Sequence, residues 1–342
     1  MGLFDVVVAR SDLASGFLAV AERPGFYAAR RLMSEVYDQW PDADPHFVRE
    51  FQTSGFDART WELYLRAALL EMGFYVDSVD HRPDFRCAVD GKTFFVEATT
   101  ANPSSRPPPP RTTDEYFARL SAATVEYDEI AIRFGSALFS KQKKQYHELD
   151  HVKGKPLVFA IEGFHDEGSL FHADTPLLRY LYGLSLVRRL APGVALPVPG
   201  TIAEHRSGKK VIPSGWFQHS GNENVSAVLF SNAGTISKFN RIGFQRGDRH
   251  PRVATMMRCG LEFDPEPGSM RPIPFTEDVA HTNETWAEDL VLIHNPVAAL
   301  PVEPSWFPNI THIFATEEQL QVLSAPRHVF SSFTAIVQTR KP

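Results

Sequence analysis

Apolar and polar residues follow two different periods along the middle of this chain. From Thr60 to Gly73 the run TWELYLRAALLEMG carries apolar residues at helical spacing. Asp57 reads as its N-cap and Gly73 as the residue that ends it. On a helical wheel Trp61, Leu65, Ala68, Leu69 and Met72 lie on one side, with Leu63 and Leu70 on the other. The spacing therefore predicts a helix sandwiched between layers. Glu62 and Arg66 fall between those sides, an i, i+4 pair within reach of a salt bridge. FYVDSVD (74–80) then reads as a strand. DFRCAV and KTFFVEATT alternate with period two around Asp90-Gly91, a strong two-residue hairpin signal.

That turn fixes a register. Val89 pairs with Lys92, and each step outward brings Asp84 opposite Glu97. Phe85, Cys87, Val89, Phe94, Val96 and Ala98 share one face, which is the core face, because a one-residue slip would expose them all. Asp84, Arg86, Thr93, Phe95, Glu97 and Thr99 share the other. Directly opposed carboxylates have Cβ atoms roughly 4.5–5.5 Å apart and repel. Something should neutralise them: a hard divalent cation such as Mg²⁺, or simply Arg86 or Arg82. Glu62 would be a third carboxylate nearby.

Residues 1–50 read as mixed helical sequence with stops near Pro24 and Pro41. NPSSRPPPPR (102–111) reads as an exposed polyproline-like loop, and 112–150 as largely helical. Pro156 opens a buried strand, PLVFAIEGF, and 175–190 reads as helix. NVSAVLFSN (224–232) and DLVLIHN (289–295) read as strands, and no internal repeat is found. The order helix, strand, strand, strand, helix, strand predicts a mixed α/β sheet with helices packed on it.

With 342 residues, 43% of them hydrophobic, the chain has material for a large core. No apolar run approaches the roughly 18–20 residues of a membrane span. The first residues do not resemble a signal peptide, and the two cysteines, Cys87 and Cys259, are far apart. A cytoplasmic protein without membrane attachment is expected. The net charge of −6 excludes an overall basic footprint for nucleic acid. Local basic clusters remain, KQKK (141–144), KGK (153–155), HRSGKK (205–210) and the stretch 238–252, and a groove can be basic on an acidic protein.

The helix with Glu62, the Pro83-Asp84 pair, the hairpin and Glu97-Ala98-Thr99 together resemble the PD-(D/E)XK nuclease superfamily over about residues 57–165. The resemblance implies a restriction-endonuclease-like mixed sheet, an αβββαβ core at 51–170, with an N-terminal helical extension (1–50) and a C-terminal α/β extension (171–342). It implies hydrolysis of phosphodiester bonds, with DNA ahead of RNA as substrate. It assigns Mg²⁺ (or Mn²⁺) to Asp84, Glu97 and the carbonyl of Ala98, with Glu62 assisting. Where the family has lysine, two residues after the second acid, this chain has Thr99, which can touch substrate but carries no charge. In some relatives the lysine comes from a neighbouring helix, and here Lys141 and Lys143 are the candidates, with Lys144 beside them. Gln142-x-x-x-Tyr146 is similar to an element of the recombination-type nucleases in that superfamily, expected on one helix face against substrate.

Three alternatives stand beside this. Without the lysine the same fold could bind nucleic acid and not cut it. HELDH (147–151) matches the H-E-x-x-H pattern of zinc peptidases, with His165 or His172 as a third ligand, although Gly154 and Pro156 end any helix soon after. SNAGTISKFNR (231–241) could cradle a phosphate, with Lys238 and Arg241 beside it. Trp216, Phe217 and His219 read as core ahead of a base-stacking surface. A homodimer or a partner protein is left open.

Overall fold

The computed structural model describes residues 1–40, 44–80, 82–102, 127–164, 174–191, 194–264, 271–316 and 320–339. Three helices come first, α1 (Ser15–Glu22), α2 (Tyr27–Asp38) and α3 (Phe47–Gln52). Then follow α4 (Phe56–Glu71), β1 (Tyr75–Asp77), β2 (Phe85–Val89), β3 (Lys92–Ala101), α5 (Tyr127–Gln142) and β4 (Leu157–Gly163), in the order expected. The polyproline-like stretch falls almost wholly outside the described residues.

Beyond β4 the chain forms α6 (Thr175–Tyr182) and two ribbons, β5 (Leu184–Ala191) with β6 (Val194–Thr201) and β7 (Glu204–Ser207) with β8 (Lys210–Pro213). β9 (Ala227–Ser231), α7 (Ile236–Gln245), β10 (Val253–Phe263), β11 (Pro272–Asp278), β12 (Val291–His294), β13 (Thr311–Ala315), β14 (Leu320–Leu323) and β15 (Val329–Gln338) complete it. The expected helix at 175–190 stops at Tyr182, because Gly183 takes φ +69° and turns the chain into β5.

Eight strands make one mixed sheet in the order β1-β2-β3-β4-β9-β12-β13-β14. The hairpin has the expected register, Val89 against Lys92 through Phe85 against Val96. Asp90 (φ +47°) and Gly91 (φ +73°) both sit in the left-handed region that this tight turn demands. β3 and β4 are parallel, as a crossover through α5 requires, and β9 extends the sheet in parallel beside β4.

Side chains alternate to two cores. One face gathers Phe85, Cys87, Phe94, Val96, Val158 and Ala160 under α4 and the N-terminal helices, and this core runs in sequence from Leu3 to Ile310. The other gathers Phe95, Phe159 and Ile161 under α5 and α6, with Trp216 and Phe217 inside it, as expected of core residues. Helix α4 is buried nearly all round, although Leu70 is 41% exposed. Its N-cap is Gly55 and Asp57 lies in its first turn, while Gly73 (φ +87°) follows its end. The Glu62–Arg66 pair does not form. Arg66 donates to the carbonyl of Gln39 and lies over Trp40, because it faces the junction with α2. Among the described residues no helix is long and apolar enough to cross a membrane.

Candidate metal-dependent active site

The β2–β3 ladder stops at Phe85 and Val96, and the acids lie just beyond it. Asp84 uses one oxygen, Oδ2, to accept the Ala98 N–H at 2.7 Å. Because a residue's N–H and C=O leave an extended strand on the same side, the Ala98 carbonyl faces that side as well. Glu97 is only 2% exposed. Its Oε1 accepts from the Lys141 ammonium and from the Tyr146 hydroxyl, the latter at 2.5 Å.

These two donors come from different elements. Lys141 is in the last turn of α5, which ends at Gln142. Gln145 then takes the left-handed conformation (φ +48°), and a 3₁₀ turn over Tyr146–Glu148 drives Tyr146 into the core beside Phe159. Gln142 and Tyr146 therefore do not share a helix face, and the Gln142 amide lies against Gly221 instead. Lys143 does not reach the acids: its ammonium sits 4.4 Å from the centre of the Phe139 ring, and Lys144 lies over Tyr146. Arg86 is taken by Asp77 at 2.6 Å, and Arg82 is exposed, so neither arginine neutralises the pair. Lys141 does. Thr99 follows on β3, half-buried on the strand face of Glu97.

Glu62 approaches from α4, on the opposite side of the sheet. Arg59, one helical turn earlier, donates to it at 2.7 Å and also holds Glu50 and Asp44. Burial pushes the Glu62 carboxyl up to about 7 despite Arg59, with the charge on Glu97 adding to the shift. Burial likewise raises Asp84 well above the usual carboxylate range, and the charges of Glu97 and Glu62 add to it. Lys141 is held protonated: burial alone would lower its affinity for protons, and Glu97 and Asp84 outweigh that. Three carboxylates thus share one lysine, with Arg59 attending the outermost. These are oxygen donors only, the set that hard cations such as Mg²⁺ or Mn²⁺ take, although the three carboxylates do not all gather within 4.8 Å of one another.

The competing motifs fold differently. HELDH is not a helix: Tyr146–Glu148 is a 3₁₀ turn, and His151 uses Nε2 on the Arg82 carbonyl at 2.7 Å. The two histidines therefore lack the one-turn spacing a shared zinc needs, and His165 and His172 lie outside the described residues. Lys238 and Arg241 are buried and cannot meet a phosphate. They bind Glu284 at 3.0 and 2.6 Å, and Lys238 also reaches Asp289. Glu284, Glu288 and Asp289 place carboxylate oxygens within 4.8 Å of one another, a spacing that could hold a metal ion. Here Lys238, Arg241 and Arg258 already stand against them. Burial would raise Glu284, but Arg241, Lys238 and Arg258 hold it well below the ordinary range.

Compared with known proteins, the chain matches no family model, no curated protein and no solved structure. The site has to be understood from its own geometry. Lys141 and Tyr146 meet Glu97, Asp84 meets the Ala98 amide, and Glu62 acts on this group through its charge while bonded to Arg59. Lys143, Gln142, Lys238 and Arg241 do not join them. Tyr146 joins as a support for Glu97. Arg59 was missed, and its signal was its place one turn before Glu62.

Proposed function

We propose that this chain is a Mg²⁺- or Mn²⁺-dependent nuclease, hydrolysing phosphodiester bonds with DNA ahead of RNA. The observation that carries this is the Lys141 ammonium on Glu97. The cation missing at Thr99 arrives from α5, which favours an active enzyme over a binding module on the same fold. Asp84, Glu97 and the Ala98 carbonyl would hold the metal. When bound, the metal supplies Lewis-acid polarisation of the phosphate and a bound water of lowered pKa.

The chain's own groups then have distinct roles. Tyr146 and Lys141 fix Glu97 through one oxygen, leaving Oε2 for the metal side. The Ala98 amide does the same for Asp84. Lys141 places a positive charge where the pentavalent phosphorus centre gains negative charge, a contribution of about 10²–10³ in rate for comparable donors. Glu62, with its proton affinity near neutrality, can take the proton of the attacking water. Arg82, Lys143 and Lys144 are exposed around this point. A separate cleft of about 400 Å³ is lined by His147, Glu148, Lys153 and Lys155 and by none of the residues of the acidic centre. A phosphate backbone at the acidic centre would find its cations in Arg82, Lys143 and Lys144 despite the acidic net charge.

The test is cleavage of plasmid, linear duplex, single-stranded DNA and RNA with Mg²⁺, Mn²⁺ or EDTA, by wild type and Asp84→Ala. Metal-dependent cleavage lost in Asp84→Ala is the expected result. Binding without cleavage under any metal would leave the binding module, and neither cleavage nor binding would refute both.

A further inference from the structure

The separate three-stranded sheet, in the order β11-β10-β15, has two edges of opposite character. β11 is protected against pairing: PIPFTED carries Pro272 and Pro274, which have no N–H to donate, and ends in Glu277 and Asp278. β15 carries no such protection. VFSSFTAIVQ is ten residues long and contains no proline, glycine or charge. At about 3.3 Å per residue it is a strand of about 33 Å.

The strand is anchored on its inner face and along β10, and near its start Asn232 donates to the Phe330 carbonyl at 2.7 Å, so the free edge is the stretch beyond it. Ser332 and Thr334 are bonded by Arg258 and Arg241, Ile336 packs into a small core, and β10 pairs along its length. The outer face is apolar and wet. Phe333 is 41% exposed and Val337 49%, with Ala335 exposed between them. Met257, Cys259 and Leu261 (42% exposed) continue this face onto β10. Among the described residues no other strand pairs with β15. Proteins rarely leave a long, uncharged edge open, because it templates pairing with another chain.

We propose that β15 pairs antiparallel with β15 of a second copy about a twofold axis, joining two three-stranded sheets into one of six. A second copy is the fitting partner for three reasons. A strand paired antiparallel with itself repeats every donor–acceptor match by symmetry. The absence of charge on β15 means that no like charges face each other across the pairing strands of two chains of net charge −6. The Phe333–Val337 faces then run on across the axis, adding apolar area to the edge, toward the roughly 800 Å² per partner of a standard interface. This pairing is independent of the proposed nuclease activity.

Sedimentation velocity from about 1 to 100 μM tests it, paired with Phe333→Lys/Ala335→Lys and, separately, Val337→Lys. All three positions face water, so the variants should keep the wild-type near-ultraviolet dichroism. Wild type should sediment at twice the 38.4 kDa chain mass, and the variants should dissociate at concentrations at least ~100-fold higher. A wild type monomeric at 100 μM overturns the proposal, as does a dimer that neither variant weakens. Should the double variant misfold, amide exchange over 329–338 in the wild type decides. Protection that grows with protein concentration supports the pairing, and protection independent of concentration refutes it.

Discussion

Replacing Lys141 with methionine is the sharpest probe of the acidic centre. Methionine keeps the length of the stem and removes the charge. Glu97 would keep its Tyr146 hydrogen bond and lose its cation, with Asp84 and Glu62 still near. Breaking a buried ion pair by deleting one partner costs about 3–5 kcal/mol. The Lys141 side chain is 19% exposed against 3% for Glu97, so the lower end, about 3 kcal/mol, applies. For a chain of 342 residues that corresponds to a drop in Tm of about 4 °C. The pH dependence has a defined sign. Lys141 has a raised affinity for protons, so its contribution is complete below the ordinary lysine value and is lost only as pH rises through the folded value. Without it, Asp84, whose carboxyl Lys141 otherwise draws down, holds its proton still more tightly folded than unfolded, so the variant regains stability as pH falls. The deficit should therefore be largest near pH 8 and shrink toward pH 5. Added Mg²⁺ should also reduce it. Denaturant titrations of Lys141→Met, Glu97→Gln and the double variant in EDTA should give a coupling energy of about 2–3 kcal/mol. Additive effects, or a Tm indifferent to pH and metal, would refute the assignment of Lys141 as the neutralising group.

Three further predictions concern other parts of the fold. Tyr146→Phe removes one donor from Glu97 and should cost about 1 kcal/mol in a denaturant titration and roughly tenfold in cleavage rate; unchanged values would mean the hydroxyl does not position the acid. His312 donates Nε2–H to the Phe307 carbonyl and accepts from His294 at 3.0 Å, while His328 meets Thr311 at 2.7 Å. Burial lowers His294 and His328 to about 4, so both are neutral when folded. Unfolded histidine binds protons below about 6.5, so stability should fall between pH 6.5 and 4 by about 2–3 kcal/mol for each. His294→Phe should flatten that slope, and an unchanged slope in thermal melts would contradict the pairing. Gly234→Ala would put a Cβ 2.4 Å from Glu162 Oε2 and 2.5 Å from the Trp61 ring, and should destabilise by about 3 kcal/mol; a Tm equal to wild type would show that the loop yields.

The hairpin, its register and the sandwiched helix were legible because each is written in local signals: a two-residue turn and two hydrophobic periods. Asp84 and Glu97 were picked out by the register, although the paired ladder ends one rung short of them. The cation was harder, since Lys141 and Lys143 differ only in where α5 ends, and a left-handed Gln145 sets that end. Lys238 and Arg241 misled because a basic helix after a glycine loop looks the same whether it faces phosphate or Glu284. Their acidic partners lie more than forty residues away, and no local pattern connects them. The same distance hid the eight-stranded extent of the sheet, whose later strands are short and separated by turns.

The ion cluster around Lys238 bears on how this chain can be shortened. Arg258 from β10 and the acids before β12 meet the cations of α7 in a closed interior, each broken pair costing about 3–5 kcal/mol. Deleting everything after Gln245 would strand Lys238 and Arg241 without counter-ions, while α7 still leans on α2 through Asn240 and the Ala29 amide. A minimal chain trimmed to the acidic centre would therefore need both cations rewritten as apolar residues. Any natural lineage that lost the C-terminal third should carry that same double replacement.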